Sequence, residues 1–366
     1  MLDGGGSLFL ITIFAIISSG ATAASNSDSL KIYWNSPSGA CFNNGTIINT
    51  EKYGIITNKG QAFRGNKIVV LYEKEIGLYP AIKKYDNGSI EWVNGGIPQN
   101  VNMKHHLKVL RQQIKIHIPD PNFSGPAVLD IEEWRPFFDQ NWSGKQVYKK
   151  ASIKKVLAER PLLTEAEATV IAEEEFNKAS LHFIHKTLNH CKKMRPKASW
   201  GFYGWPLCDI NGYKRNFRSC YQRHNRKLLK ILRNVDAFYP STYLYKNRPI
   251  DRQKRYVREI LSETERLNYI IQKEGYGRKK VFVFTEFEIN PYEDDVSEIR
   301  FYNKMELDIS IRQDFQFEVD GILLWSTSKN MLKRCSSIAT YVDEFLGPYI
   351  LNLRNFYNHH LFLNIN

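Results

Sequence analysis

The apolar positions of the chain gather into short runs rich in β-branched and aromatic residues. They are Lys31 to Trp34 (KIYW), Ile68 to Tyr72 (IVVLY), Ala127 to Glu132 (AVLDIE), Ser199 to Tyr203 (SWGFY), Ala237 to Tyr243 (AFYPSTY), Val281 to Phe287 (VFVFTEF) and Gly321 to Trp325 (GILLW). Several are apolar on both faces, the pattern of strands covered on both sides in a parallel sheet. Helical spacing fills the intervals. Thr164 and Glu167 form a capping box that predicts a helix running to about Met194, with Val170, Phe176, Phe183, Ile184 and Leu188 as its apolar positions. Lys192 and Lys193 fall in its last turn, where the helix dipole favours cations. Further helices are predicted over Arg226 to Arg233 and Arg252 to Asn268. Strand then helix, repeated about seven times, predicts an α/β fold: a distorted (β/α) barrel of parallel strands, TIM-barrel-like. An open doubly wound sheet is the alternative, but no G-x-G-x-x-G or Walker loop gives it a nucleotide site.

Composition agrees with one large folded unit. The 366 residues are 43% hydrophobic and 24% charged, and no Pro/Ser/Gly-rich linker divides the interior. The first residues read as a targeting segment. Leu8 to Ile17 (LFLITIFAII) is too short to span a bilayer comfortably, and small residues with an A-x-A pattern follow at Ala21, Thr22 and Ala23. A cleaved secretory signal over residues 1–24 is the expectation, although the preceding MLDGGGS carries Asp3 and no Lys or Arg; an uncleaved anchor or a buried strand is the alternative. The barrel is then assigned to 25–350 and a C-terminal tail to 351–366. An extracellular destination fits three sequons, at Asn44, Asn87 and Asn141.

The cysteines belong to the same picture. Cys41, Cys191, Cys208, Cys220 and Cys335 lack the paired C-x-x-C spacing of a zinc site, so disulfides are the natural reading in an oxidising compartment. Cys208 and Cys220 bracket a polar loop and can close it, a link worth roughly 3 kcal/mol in the chain-entropy model. Cys41 and Cys335 would then tie the start of the chain to its end, leaving Cys191 as a buried inert thiol on the long helix. His182, His185 and His190 lie on that helix without an H-E-x-x-H pattern, so neither a metal nor a cofactor is implied.

The candidate chemistry sits in PAVLDIEEWRP, residues 126–136. If the strand runs to Glu132, alternation turns Asp130 and Glu132 to one face and Ile131 and Glu133 to the other, with both acids at the C-terminal end where a barrel keeps its active site. Two carboxyl groups within about 5 to 7 Å cannot both ionise easily, so one tends to hold a proton. A protonated acid beside a carboxylate is what glycosidic bond cleavage requires. Two solvated acids, each paired with a Lys or Arg, are the plainer alternative.

The surroundings of this motif decide between them. LDIEEWRPFFDQNW resembles the signature of the animal hyaluronidases, which are secreted and lysosomal endoglycosidases. The resemblance continues in WNSPSGAC from Trp34, GLYPAI from Gly77, NGGIPQN from Asn94, MRPKASWGFYGWPLC from Met194, YPSTYL from Tyr239 and GILLWSTS from Gly321. It implies that Glu132 is the proton donor and that Asp130 positions the substrate's N-acetyl group, whose carbonyl oxygen acts as nucleophile in a retaining mechanism. Glu133 falls at a variable position and is expected to face away. By the same resemblance Tyr203 and Tyr243 contact the acetamido group and sugar rings, Trp325 packs behind the N-acetyl methyl, and Arg135 lies near a uronate. Phe284 departs from the pattern, standing where relatives present a tyrosine to the groove.

What the resemblance implies is a secreted, endo-acting, monomeric hydrolase. It would cut the β-1,4 bond between N-acetylglucosamine and glucuronate in hyaluronan, with chondroitin as a secondary substrate. A net charge of +13 suits such a polyanion, and a secreted chain without a nucleic-acid module makes neither nucleic acid nor a membrane the expected partner. Longer relatives carry a cysteine-rich module after the barrel, whereas no cysteine follows Cys335 here, and this short form is similar to the arthropod venom and salivary members. Two other readings stand beside it: a silent homologue that binds glycosaminoglycan without turnover, which Phe284 favours, and a chitin hydrolase, for which PAVLD lacks the expected Asp-rich run.

Overall fold

The structure is a computed structural model that describes residues 30–211, 220–317 and 319–363, the last six of these by backbone alone. The expected signal segment, 1–24, lies outside the described residues. Numbered along the chain, the strands are β1 (Lys31–Asn35), β2 (Ile56–Thr57), β3 (Val69–Leu71), β4 (Ala81–Lys84), β5 (Ile90–Val93), β6 (Pro126–Leu129), β7 (Ser199–Phe202), β8 (Ala237–Phe238), β9 (Lys280–Thr285), β10 (Glu288–Ile289), β11 (Arg300–Phe301) and β12 (Gly321–Trp325). Two parallel arcs, β2-β1-β12-β9-β8 and β3-β6-β7, form the barrel, while β4-β5 and β10-β11 are antiparallel hairpins outside it. All seven apolar runs fall on barrel strands. The barrel strand the pattern did not announce is β2, whose two residues are too short for any periodicity.

Neither junction between the arcs is an ordinary ladder. A parallel bridge between Tyr203 and Tyr239 joins β7 to β8. Between β2 and β3 one side chain takes the place of a strand edge. Asn58, fully buried, donates to Ala62 O and Ile68 O at 2.9 and 3.0 Å, and its Oδ1 accepts from the N–H groups of Lys67 and Ile68 at 2.8 and 3.1 Å. A carboxamide suits this place because it offers an acceptor and two donors on one short stem.

Strand parity separates two layers of core. Tyr33, Val70, Val128, Phe282, Phe284, Leu323 and Trp325 pack with Tyr239 inside the barrel. Their neighbours Ile32, Trp34, Val69, Leu71, Ala127, Leu129, Val283 and Leu324 belong to a larger cluster shared with the helices. Gly201 is needed where the Tyr239 ring crosses the interior, since a Cβ there would lie 2.0 Å from Ala237 O and 2.9 Å from that ring.

Helices cover the outside: α1 (Gly39–Asn43), α2 (Met103–His117), α3 (Gln146–Glu159), α4 (Glu165–Met194), α5 (Gln222–Leu232), α6 (Ile250–Lys273), α7 (Lys304–Leu307), α8 (Met331–Tyr341) and α9 (Gly347–Leu363). The capping box opens α4 as expected, with Thr164 N donating to Glu167 Oε2 at 2.9 Å. Val170 does not belong to its apolar face and is 70% exposed, because the helix turns Ala168, Ala172 and Phe176 inward instead. A disulfide between Cys41 and Cys335 links α1 to α8, a second joins Cys208 to Cys220, and Cys191 is a free buried thiol on α4 whose burial pushes its pKa up.

Two expectations change. Residues 351–363 are the body of α9, not a tail: Leu353 is buried, and Arg354 donates to Tyr53 O and Gly54 O at 2.9 and 3.1 Å. Asn141 is unsuited to carry a glycan, because it is fully buried and its amide nitrogen donates to Arg135 O and Phe137 O while its oxygen accepts from Arg135 N. Asn44 and Asn87 lie exposed in turns. The β2–β3 junction predicts that Asn58→Ala strands several buried backbone groups and costs about 3 kcal/mol or more. Urea unfolding measures it, and a loss below about 1 kcal/mol would show that the junction is held by other contacts.

Candidate active site

At the C-terminal ends of the strands a cavity of about 450 Å³ opens, and Asp130 and Glu132 both stand on its wall. Strand β6 ends at Leu129, earlier than the sequence reading placed it, although Asp130 N still donates to Leu71 O at 2.9 Å. The parity of Val128 inside the barrel nevertheless carries on through Asp130 and Glu132, while Ile131 joins the outer core. Glu133 is absent from the cavity wall and meets the Tyr148 hydroxyl at 3.4 Å.

The two acids sit in different surroundings. Asp130 is 7% exposed, and its Oδ1 is buried without a hydrogen-bond partner. Burial, then the charges of Glu132 and Glu73, push its pKa well above the ordinary carboxylate value. Glu132 is more open to solvent, and its pKa is also raised, by desolvation first and by Glu73 next, with Lys145 and Arg135 opposing. Such a pair titrates jointly, so a proton taken up by one carboxyl is felt by the other.

Aromatic rings form the rest of the wall. Tyr203 donates to Ser241 Oγ at 3.1 Å, and Phe284 meets its ring edge-to-face at 5.1 Å. Tyr243 stacks on Trp325 at 5.8 Å, and Tyr292 covers Trp325 from another side at the same distance. Trp325 Nε1 donates to the Tyr72 hydroxyl at 3.2 Å. Tyr72 in turn stacks with Phe63 at 5.9 Å, beneath the Arg64 guanidinium. Arg64 is committed elsewhere, to Glu75 at 3.1 Å and Val70 O at 2.7 Å. A concave site walled by flat rings and a few polar groups is suited to pyranose faces.

The hyaluronidase family model matches residues 20–358. Among relatives, the hyaluronidase of Apis mellifera is 32% identical over 326 residues, covering 87% of this chain and 82% of that one. The chain belongs to the hyaluronidase family. A chondroitin hydrolase of Caenorhabditis elegans is 33% identical, covering 94% of this chain and 75% of its own. The crystal structure of bee venom hyaluronidase in complex with a hyaluronic acid tetramer aligns with a TM-score of 0.80 at 31% identity, over 88% of this chain and 99% of that one. The protein is therefore a glycoside hydrolase of the hyaluronidase type with a TIM-barrel-like fold.

Of the residues singled out in the sequence of this hyaluronidase, the cavity brings together Asp130, Glu132, Tyr203, Tyr243, Phe284 and Trp325. Arg135 is not among them. Its guanidinium lies 4.2 Å from the Trp142 ring centre, donates to Gln140 O at 2.9 Å and, with Lys84 and Lys145, borders a neighbouring depression of about 430 Å³. Tyr72 was missed although it shares the parity of Val70 and ends the IVVLY run. Tyr292 and Phe63 come from irregular loops and carry no periodic signal. Among the described residues no group of three or more His, Cys, Asp or Glu side chains could hold a metal ion.

The buried acid gives a test with a definite sign. A carboxyl whose folded pKa is raised stabilises the fold at low pH and loses that contribution as pH rises from about 4 through the folded pKa. Asp130→Asn should therefore be more stable than the wild type at pH 7, with the gap closing toward pH 4. Urea midpoints at both pH values read it, and a gap independent of pH would refute the burial of a titrating charge at this position.

Proposed function

We propose that the protein cleaves hyaluronan internally, at the β-1,4 bond between N-acetylglucosamine and glucuronate, with retention at the anomeric carbon. The observation that carries this reading is the buried Asp130 beside the more open Glu132, both with raised pKa, on one wall of an aromatic cavity. Glu132, the more open of the two and with its pKa raised by desolvation and Glu73, serves as acid toward the leaving oxygen and then as base toward water. Asp130, on the cavity wall, accepts a hydrogen bond from the acetamido N–H through its carboxyl. The acetamido oxygen then closes on the anomeric carbon from the face opposite the breaking glycosidic bond, and water reopens the ring so formed from the face the leaving oxygen vacated. Tyr203 and Tyr243 flank the sugar, and Trp325 backs the N-acetyl methyl.

Chondroitin is a second substrate in this reading, supported by the similarity to the chondroitin hydrolase. Secretion is inferred from two disulfides and from exposed sequons at Asn44 and Asn87. No helix among the described residues is long and apolar enough to cross a membrane. Phe284 keeps a ring in the cavity wall but offers no hydroxyl, which favours lower turnover without removing either acid.

Glu132→Gln should lower hyaluronan cleavage about a hundredfold to ten-thousandfold while binding persists, read by size-exclusion chromatography of the polymer. Intact polymer with correctly folded wild type would replace hydrolysis by binding alone. Arg135→Ala tests the neighbouring depression as the place of a uronate. Affinity for hyaluronan oligosaccharides should fall about threefold to tenfold, corresponding to roughly 1 kcal/mol, with the fold retained. Unchanged affinity removes Arg135 from the binding surface.

A further inference from the structure

The peptide of Glu132 is gripped from both sides by opposite charges. Strand β3 leads into a short 3₁₀ turn, Glu73–Glu75, and the first carboxylate of that turn reaches across to accept the backbone N–H of Glu132 at 2.8 Å. On the other side Lys145, which closes the 3₁₀ turn Ser143–Lys145 ahead of α3, donates its ammonium to Glu132 O and, at 3.2 Å, to Glu133 O. The segment between Leu129 and Phe138 has no strand or helix ladder of its own, so these contacts do for its backbone what a sheet would have done. Charge-assisted bonds are the stronger kind, and here a carboxylate and an ammonium both spend one on the same residue.

We propose that Glu73 and Lys145 are positioning residues for the catalytic acid, a charged clamp that fixes the Glu132 backbone and sets the electrostatic field at its carboxyl. The inference rests on the reading of Glu132 as that acid. The two arms act on the acid in opposite senses: Glu73 favours the protonated form of Glu132, and Lys145 favours the ionised form. Other groups also face Glu132. Asp130 shares the segment, Glu133 and Arg135 follow it, and Tyr203, Tyr245 and Tyr292 feel its charge from β7, from beyond β8 and from the loop after β10. The clamp differs from all of these in touching the backbone of Glu132 as well.

The test is the pH dependence of kcat/KM on hyaluronan for the wild type, Glu73→Gln and Lys145→Met. Its alkaline limb reports the acid of the free enzyme. Glu73→Gln keeps an oxygen for the Glu132 N–H but loses the charge, so the limb should move to lower pH by about one unit. Lys145→Met keeps the length but loses charge and donor, so the limb should move to higher pH, and Lys145→Arg should restore it. A role in packing alone would lower activity without moving the limbs apart. Limbs that stay at the wild-type position, or that move in the same direction, overturn the clamp. Glu132→Gln is assayed alongside: a variant that still cuts at the wild-type rate overturns the acid assignment itself, whereas an inactive Glu132→Gln with unmoved limbs overturns only the clamp. Glu73→Asp, which keeps the charge but withdraws it from the Glu132 N–H, separates the two functions. It should reduce kcat with the limb near its wild-type position, and a kcat equal to wild type would remove the backbone contact from the proposal.

Discussion

The constraint on which the site depends is the cost of burying one carboxyl group, Asp130, beside a second, Glu132, at the cavity wall. Burying an isolated carboxylate is expensive, and a like charge nearby makes it more so. The cost raises the pKa of both acids, and in the proposed mechanism a proton held by the pair is the one given to the leaving oxygen. Destabilisation and chemistry thus have the same origin. Asp130 shows it most plainly, with 7% exposure, a raised pKa and an oxygen left without a donor.

Holding such a pair requires a rigid frame, and the frame is strand parity. Val128 faces the barrel interior, and the next residues of that parity, Asp130 and Glu132, come out on the wall of the cavity above it. The same parity lifts Tyr72 above Val70 and Trp325 above Leu323. One-residue slippage of β6 would send Asp130 into the outer, helix-covered layer and away from the cavity. The barrel therefore needs its junctions. The buried carboxamide of Asn58 between β2 and β3 and the Tyr203–Tyr239 bridge between β7 and β8 close the two places where the ladder lapses.

These features were unequally legible in the chain. The seven long runs and the acids could be read because each belongs to a repeating pattern or a dense motif. Strand β2 could not, since two residues carry no period. Val170 was misread because the buried stripe of α4 uses alanines, Ala168 and Ala172, that a hydrophobic pattern scores below a valine. Asn141 looked like a sequon by composition, yet its side chain is the brace that turns the chain after Arg135. Glu73 was invisible for a different reason. Its contact is with a backbone atom of a residue fifty-nine positions away, and no side-chain pattern encodes that.

An acidic site in a basic protein has a physical rationale. A net charge of +13 acts over a Debye length and raises the concentration of a polyanion near the surface, where it costs the site nothing. Close to the reacting bond the requirement reverses, because a free cation beside Glu132 would draw the proton off the acid. Arg64 shows the separation: it borders the cavity, but its charge is spent on Glu75 and its face on the rings of Phe63 and Tyr72. Lys145 is the cation nearest in effect to Glu132, and its ammonium is engaged by backbone carbonyls of Glu132 and Glu133. Positive charge is thus general over the surface and engaged where it acts most on Glu132, an arrangement that suits the proposed cleavage of a carboxylated polymer by a carboxylic acid.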